Sequence, residues 1–245
     1  MLHPEKARVI RDLRRLARPS GEFNARRYFR GAADLAFYNI GTPATRALAR
    51  SVHAAHCADW SLDDAVAFAD AMIVDTYLEA KTVGIEVLAR YHREFTPRLL
   101  ATFKRWLVDG YSSNWATTDA ISMSLIAPVL VRHPEAADKM RGWSGHANMW
   151  ARRASIVSLI PAIRKRLVLD LAYGIARRLH ADDADLIQKA VGWTLRECGR
   201  VDAPRLERYL RANGRNTPRT TVRYAIERFS EAKRLAVMKA TRNGR

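Results

Sequence analysis

The chain predicts an all-α protein built as a helical-repeat solenoid, and three observations predict it. Ala, Leu and Arg dominate the composition, while β-branched alternation is scarce and the 245 residues contain only 12 Gly and 9 Pro. That balance favours helix. Capping residues followed by helix-compatible first turns recur along the chain. Small residues also recur at a nearly constant period: Gly84, Ala120, Ser155, Gly192 and Ala225 are separated by 36, 35, 37 and 33 residues.

The elements follow in order. Residues 4–18 form an amphipathic basic helix stopped by Arg18-Pro19-Ser20-Gly21. A second helical region runs from Asn24 to about Phe37. Gly41-Thr42-Pro43 breaks it, with Thr42 as N-cap and Pro43 at the first helical position of the next helix. Ser61-Leu62-Asp63-Asp64, Thr96-Pro97 and Thr217-Pro218 open further helices, as do His133-Pro134-Glu135 and Asp202-Ala203-Pro204. The small residues sit in EAKTVGIEVL, ATTDAISMSL, ARRASIVSLI, QKAVGWTLRE and PRTTVRYAIERF. A period of this length suits stacked helix pairs, each burying its apolar face on the next, with the small residue letting two helices approach closely. The expected architecture is an α-solenoid of HEAT-like hairpins around a concave basic groove; an ordinary bundle with accidental spacing is the alternative. One domain is expected over residues 1–238, followed by a basic, disordered tail at 239–245.

Charge narrows the function. Lys and Arg number 42 against 25 Asp and Glu, giving a net charge of +17 and a pI near 10.6. Arg far outnumbers Lys, and its planar fork matches phosphate. The basic residues are spread over the whole chain, which favours nucleic acid over a membrane surface as partner. No apolar run approaches the ~20 residues of a membrane span, and Met1-Leu2-His3-Pro4-Glu5-Lys6 lacks the apolar core of a signal peptide. Cys57 and Cys198 form no CxxC and read as reduced thiols, so a cytoplasmic protein associated with the nucleoid through DNA is expected.

Against that charge, Asn114-Trp115-Ala116-Thr117-Thr118-Asp119 stands out. It sets a carboxylate and an indole four residues apart, on one face of a helix. An acid inside a phosphate-binding groove repels its ligand, so its presence there implies a chemical task. In the repeat alignment the second helix of each pair carries the unusual residues: Trp115 and Asp119, then Arg152 and Arg153, then Lys189, Trp193 and Arg196, then Arg219 and Arg223. Facing a concavity, the cations would bind phosphate and the indoles would stack on a base or hold a cation. Taken singly, Asp119 could be an ordinary helix charge, the two tryptophans core residues and the basic side chains solvated surface. His53, His56 and Cys57 could share a helical face, but with no further ligand nearby no metal is expected. No Gly-rich phosphate loop, Ser-His-Asp order or HExxH occurs.

The string Ile187-Gln188-Lys189-Ala190-Val191-Gly192-Trp193-Thr194-Leu195-Arg196-Glu197 resembles the signature of the AlkD-like DNA glycosylases. Trp115 to Asp119 is similar to that family's Trp and catalytic Asp, and Asn148-Met149-Trp150-Ala151-Arg152-Arg153 to the segment ending in an active-site Arg, both in the right order and spacing. The resemblance covers about residues 20–230. It implies a HEAT-like α-solenoid that removes N3- and N7-alkylated purines from double-stranded DNA in base excision repair, as a monomeric, monofunctional hydrolase without metal or cofactor. Carried over by motif, Asp119 is the catalytic acid, with Trp115, Arg153 and Trp193 around it. Tyr28, in Arg26-Arg27-Tyr28-Phe29, resembles an aromatic placed near the lesion. Lys189, Arg196, Arg152 and Arg219 would meet phosphate. The chain departs from the family pattern at Asp185 and Leu186, where aromatic residues are familiar, and at Ala116, where a polar residue is common.

The chemistry suits these residue types. A purine alkylated at N3 or N7 is cationic and departs neutral, so no acid is needed to protonate it. An anion beside the sugar stabilises oxocarbenium character and can orient water on C1′. Two rival readings remain: a non-catalytic HEAT-like module that binds damaged or branched DNA, and a protein-binding solenoid, which the arginine excess disfavours.

Overall fold

The computed structural model describes residues 4–19, 21, 29 and 35–241. The protein is all-α; among the described residues the only extended pairing is an isolated parallel bridge between Ala36 and Tyr77. The chain divides into two compact units, Met1–Leu125 and Ile126–Arg245.

In the first unit α1 (Pro4–Leu16) turns Val9 and Leu13 into a core shared with Tyr38, Leu48, Val52, Phe68, Met72, Val83 and Val87. The helix expected up to Phe37 is not continued at its end. Residues 35–40 are non-helical, and the rest of that region lies outside the described residues. The reason is tertiary: Ala36 N–H donates to the Thr76 carbonyl (3.0 Å), Leu78 N–H to Ala36 (2.9 Å), and Tyr38 N–H to the Glu79 carboxylate (3.0 Å). Backbone groups satisfied by distant partners do not need a helix. Asn39, at φ 58, turns the chain into α2 (Gly41–His56). That helix starts one residue before the expected cap, with Ile40 at the N-cap and no side-chain cap, a shift within the usual fraying of helix ends.

Ser61 caps α3 (Leu62–Ile73) in a full capping box with Asp64. α4 (Leu78–Leu88) packs on α3 and on α2, then tightens into a 3-10 helix over Ala89–Glu94. Gly84 permits the contact with α3, since a Cβ there would lie 2.7 Å from Met72 Cβ. Thr96-Pro97 makes the turn before α5 (Leu99–Val108), which begins two residues after the proline. The buried Trp106 donates to Asp70 on α3, as does Arg105 (2.6 Å). α6 (Trp115–Ile121) packs on α4 and is followed by a π-helical turn, Ser122–Ile126.

The second unit continues with α7 (Ala127–Arg132), a 3-10 turn opened by Pro134, α8 (Lys139–Trp143), α9 (Met149–Val157), α10 (Ile160–Arg164) and α11 (Leu169–Arg178). α12 (Asp185–Val201) is its spine, packing against α9, α10, α11, α13 (Ala203–Asn213) and α14 (Arg219–Ala225). Asp202 caps α13 by accepting from Arg205 N–H (2.9 Å), as its position before Ala203-Pro204 predicts. α15 (Glu231–Ala240) ends the described chain; Lys239 and Ala240 are helical and Thr241 is buried, while 242–245 lie outside the described residues.

The five periodic small residues fall one each in α4, α6, α9, α12 and α14. Within each unit, ion pairs join side chains roughly one period apart. Arg105 meets Asp70 in the first unit; in the second Arg152 meets Asp182 (2.6 Å), Arg164 meets Glu197 (2.9 Å), Arg196 meets Glu227 and Arg205 meets Asp170.

Candidate functional site

In the first unit α6 presents the carboxylate and the indole. Asn114 caps the helix, accepting from Thr117 N–H (2.9 Å) and donating to its hydroxyl (3.0 Å). Thr118 reaches back to the Ser112 carbonyl (2.9 Å) and Ser122 to the Thr118 carbonyl (2.7 Å). Thr117 and Thr118 are buried, so the opposite edge of the helix, with Trp115 and Asp119, faces outward. Trp115 is 36% exposed and Asp119 is half-buried. The π-turn begins three residues after Asp119, and such turns recur at functional sites because they re-aim the side chains around them.

Two contacts at or near this helix escaped sequence reasoning. Phe29 stacks on Trp115, centroids 5.2 Å apart at 15°, and also meets Phe37 at 5.4 Å. Phe29 adjoins Tyr28, the aromatic chosen by resemblance, which lies outside the described residues. The second is Lys81. Its buried ammonium donates to Ile73 O (2.6 Å), at the end of α3, and to Tyr111 O (2.9 Å), in the loop leading to Asn114. Burial pushes its pKa down to about 8. No spacing in the sequence signals the Phe29–Trp115 stack or the Lys81–Tyr111 bond, since the partners are 86 and 30 residues apart.

In the second unit α9 and α12 carry the motif residues. Asn148 caps α9 through Trp150 and Ala151 N–H (2.8 and 3.3 Å). Arg152 is spent on internal acceptors: Asp182 (2.6 Å), His146 O (3.0 Å) and Ala147 O (2.7 Å). Arg153 is buried and donates to Leu186 O in the first turn of α12. Both arginines therefore tie α9 to the start of the next repeat helix.

On α12, Lys189 pairs with Asp185 one turn earlier (2.6 Å), and that hydrogen bond raises its pKa. Trp193 is half-buried. Arg196 is ion-paired with Glu227, and its Nε is buried without an acceptor among the described residues. Gly192 lies where α14 crosses: an added Cβ would stand 2.8 Å from Thr221 O, and Thr221 Oγ1 donates to Gln188 O (2.9 Å). The glycine of the motif is thus a packing residue. Arg219, at the start of α14, donates to Thr241 O (3.1 Å), Thr241 Oγ1 (2.9 Å) and Met238 O (3.2 Å) and so anchors α15. Among the described residues no group of three or more His, Cys, Asp or Glu converges as a metal site, and no helix is long and apolar enough to cross a membrane.

The family model for DNA alkylation repair enzymes matches residues 9–229, so the chain belongs to the DNA alkylation repair enzyme family. Among solved structures it is similar to a predicted DNA alkylation repair enzyme from Enterococcus faecalis, with 16% identity, 94% of this chain and 100% of that one covered, and a TM-score of 0.71. That likeness is one of fold. No curated protein matches the chain. Family membership assigns the protein an enzymatic role in the repair of alkylated DNA, with DNA as its substrate.

Proposed function

We propose that the protein is a monofunctional DNA glycosylase that hydrolyses the N-glycosidic bond of cationic N3- and N7-alkylated purines in duplex DNA. Within each unit the helices would pair as HEAT-like hairpins. The observation that carries the reading is α6: a partly exposed carboxylate, Asp119, one turn from an exposed indole, Trp115, on a helix whose other edge is fixed by Asn114, Thr117 and Thr118. In this reading Asp119 faces the deoxyribose. It stabilises positive charge as the base departs and orients water on C1′. Trp115, on the same helix face as Asp119, holds the cationic base or its surroundings, a contact worth about 0.5–2 kcal/mol that a neutral base lacks.

Lys189 and Arg196 meet backbone phosphate by exchanging Asp185 and Glu227 for it. Arg152, Arg153 and Arg219 are bonded to the protein's own acceptors and keep the helices in register. The enzyme works as a monomer in the cytoplasm and needs neither metal nor cofactor.

The test is release of 7-methylguanine from methylated duplex DNA by wild type and Asp119→Asn. Release should fall about 10²-fold or more in the variant, the scale of losing a principal electrostatic group. Affinity for undamaged duplex should hold or tighten, because a repelling charge has gone. Equal excision by both proteins removes Asp119 from the mechanism. Duplex binding with no release by wild type favours a non-catalytic module for damaged DNA.

A further inference from the structure

The arginines picked out by motif are bonded to internal acceptors. The first unit holds two that are not. α4 ends in a 3-10 helix, Ala89–Glu94, with three residues per turn, so side chains three apart eclipse one another. Arg90 and Arg93 therefore project along one edge, and Ala89 and His92 along another. Both arginines are exposed, and neither guanidinium is bonded to an acceptor among the described residues. The buried Tyr91 anchors the turn between them and meets the His53 ring of α2 edge-on at 5.5 Å. His53, Glu86, Ala89, Arg90, His92 and Arg93 together line an open cleft of about 480 Å³. Its one carboxylate, Glu86, is already paired with Arg46 (3.1 Å).

Two guanidiniums with open donor forks, two imidazoles and a carboxylate already paired with Arg46 line this cleft, so its net charge is positive. We infer that this cleft binds a phosphate-type oxyanion, with Arg90 and Arg93 supplying the charge and the His53 imidazole a further donor, while His92, whose Nδ1–H donates to Ala89 O (3.0 Å), lines the cleft beside them. Guanidinium forks match tetrahedral oxyanions in geometry, and hydrogen bonds between two charged groups are stronger than neutral ones. Independent support comes from His53, whose pKa is lowered by burial first and then by Arg90, so the cation is close to the ring. The anion could be a phosphate of the DNA strand or a free phosphate; the chemistry is shared, and the two sources are separable. The site needs no assumption about excision, because it can be probed with undamaged DNA and with inorganic phosphate.

The experiment uses the full chain, wild type and Arg90→Ala/Arg93→Ala. Both positions are exposed, so the double variant should fold, and its circular dichroism checks this. Inorganic phosphate is titrated at constant ionic strength while the His53 and His92 imidazole resonances are followed by NMR. In parallel, the salt slope of binding to undamaged duplex is measured. A saturable shift of both imidazoles in wild type, lost in the variant, is the expected result. If the strand supplies the anion, the variant's slope also falls by about two units, one per lost contact. If the imidazoles respond but the slope is unchanged, the site stands and serves a free phosphate. Imidazoles that do not respond to phosphate overturn the proposal, even if the slope falls, because the two arginines then act only as general surface charge.

Discussion

Arg152 puts the sharpest question to this chain. By motif it looks like a phosphate ligand; by its bonds it is a clamp. Its side chain is 21% exposed and holds the Asp182 carboxylate, itself 10% exposed, at 2.6 Å, with two further bonds to His146 O and Ala147 O. Arg152→Ala would leave that carboxylate without its cation. Breaking a buried pair in this way costs about 3–5 kcal/mol. Two features reduce the figure here: Asp182 keeps the N–H of Ala184 (3.0 Å), and water can reach part of the vacated space. A loss of about 2–3 kcal/mol results, which for a chain of this size lowers the thermal midpoint by about 5–10 °C.

The assay is thermal and urea denaturation alongside the salt dependence of duplex binding. The slope of log K should stay within error of wild type, because no backbone contact is lost. Arg152→Ala/Asp182→Asn should recover part of the stability, since the orphaned charge goes too. A midpoint unchanged in Arg152→Ala, with a slope reduced by about one unit, would refute the clamp and return Arg152 to the DNA face.

Three further outcomes follow from the same structure. Asp185→Asn frees Lys189 from an exposed pair worth about 0.3–0.5 kcal/mol and removes a charge that repels phosphate, so duplex affinity should rise about two- to threefold by fluorescence anisotropy, an effect absent in Lys189→Ala. Gly192→Ala should lower the urea midpoint, because overpacking against Thr221 and Tyr224, about 1–3 kcal/mol, outweighs the helix-propensity gain of about 1 kcal/mol; Gly142→Ala in α8, where an added Cβ meets nothing within 4 Å, should raise it instead. His180 is buried between the Tyr209 hydroxyl (3.0 Å) and the Thr217 hydroxyl (3.2 Å), and burial pushes its pKa down to about 4 from an ordinary 6.5. The unfolded chain therefore binds the extra proton first, so its contribution is intact above about pH 6.5 and stability falls as pH drops toward 4, by up to about 3 kcal/mol; denaturation across that window should show the slope in wild type and a flatter profile in His180→Asn.

What could be read from sequence was what is decided locally. Ser61 with Asp64 and Asp202 with Arg205 each complete a cap within three residues, and both were legible. The spacing of small residues was legible too, because Gly84 and Gly192 stand where a neighbouring helix leaves no room for a Cβ. The path of residues 35–40 was not, since its hydrogen-bond partners are Thr76 and Glu79, some 40 residues on. The roles of Arg152, Arg153 and Arg219 were hidden for the same reason. Several of their acceptors are backbone carbonyls, which every residue carries, so nothing in the side-chain pattern marks them. Asp119 was legible as an acid out of place in a basic chain; the Phe29 stack on its neighbour Trp115 spans 86 positions and left no trace.

The ion pairs between neighbouring repeats bear on how the protein is made. Arg105 with Asp70, Arg164 with Glu197 and Arg205 with Asp170 each close a loop of about 35 residues, and among these pairs no link has to wait for the far end of the chain. Loop-closure entropy grows only slowly with length, so each closure costs about the same and none dominates. A chain growing from a ribosome at about 5–20 residues per second would therefore present each helix with its partner within a few seconds. Folding can then keep pace with synthesis, the later helix of each pair being stitched to the one two before it soon after it emerges.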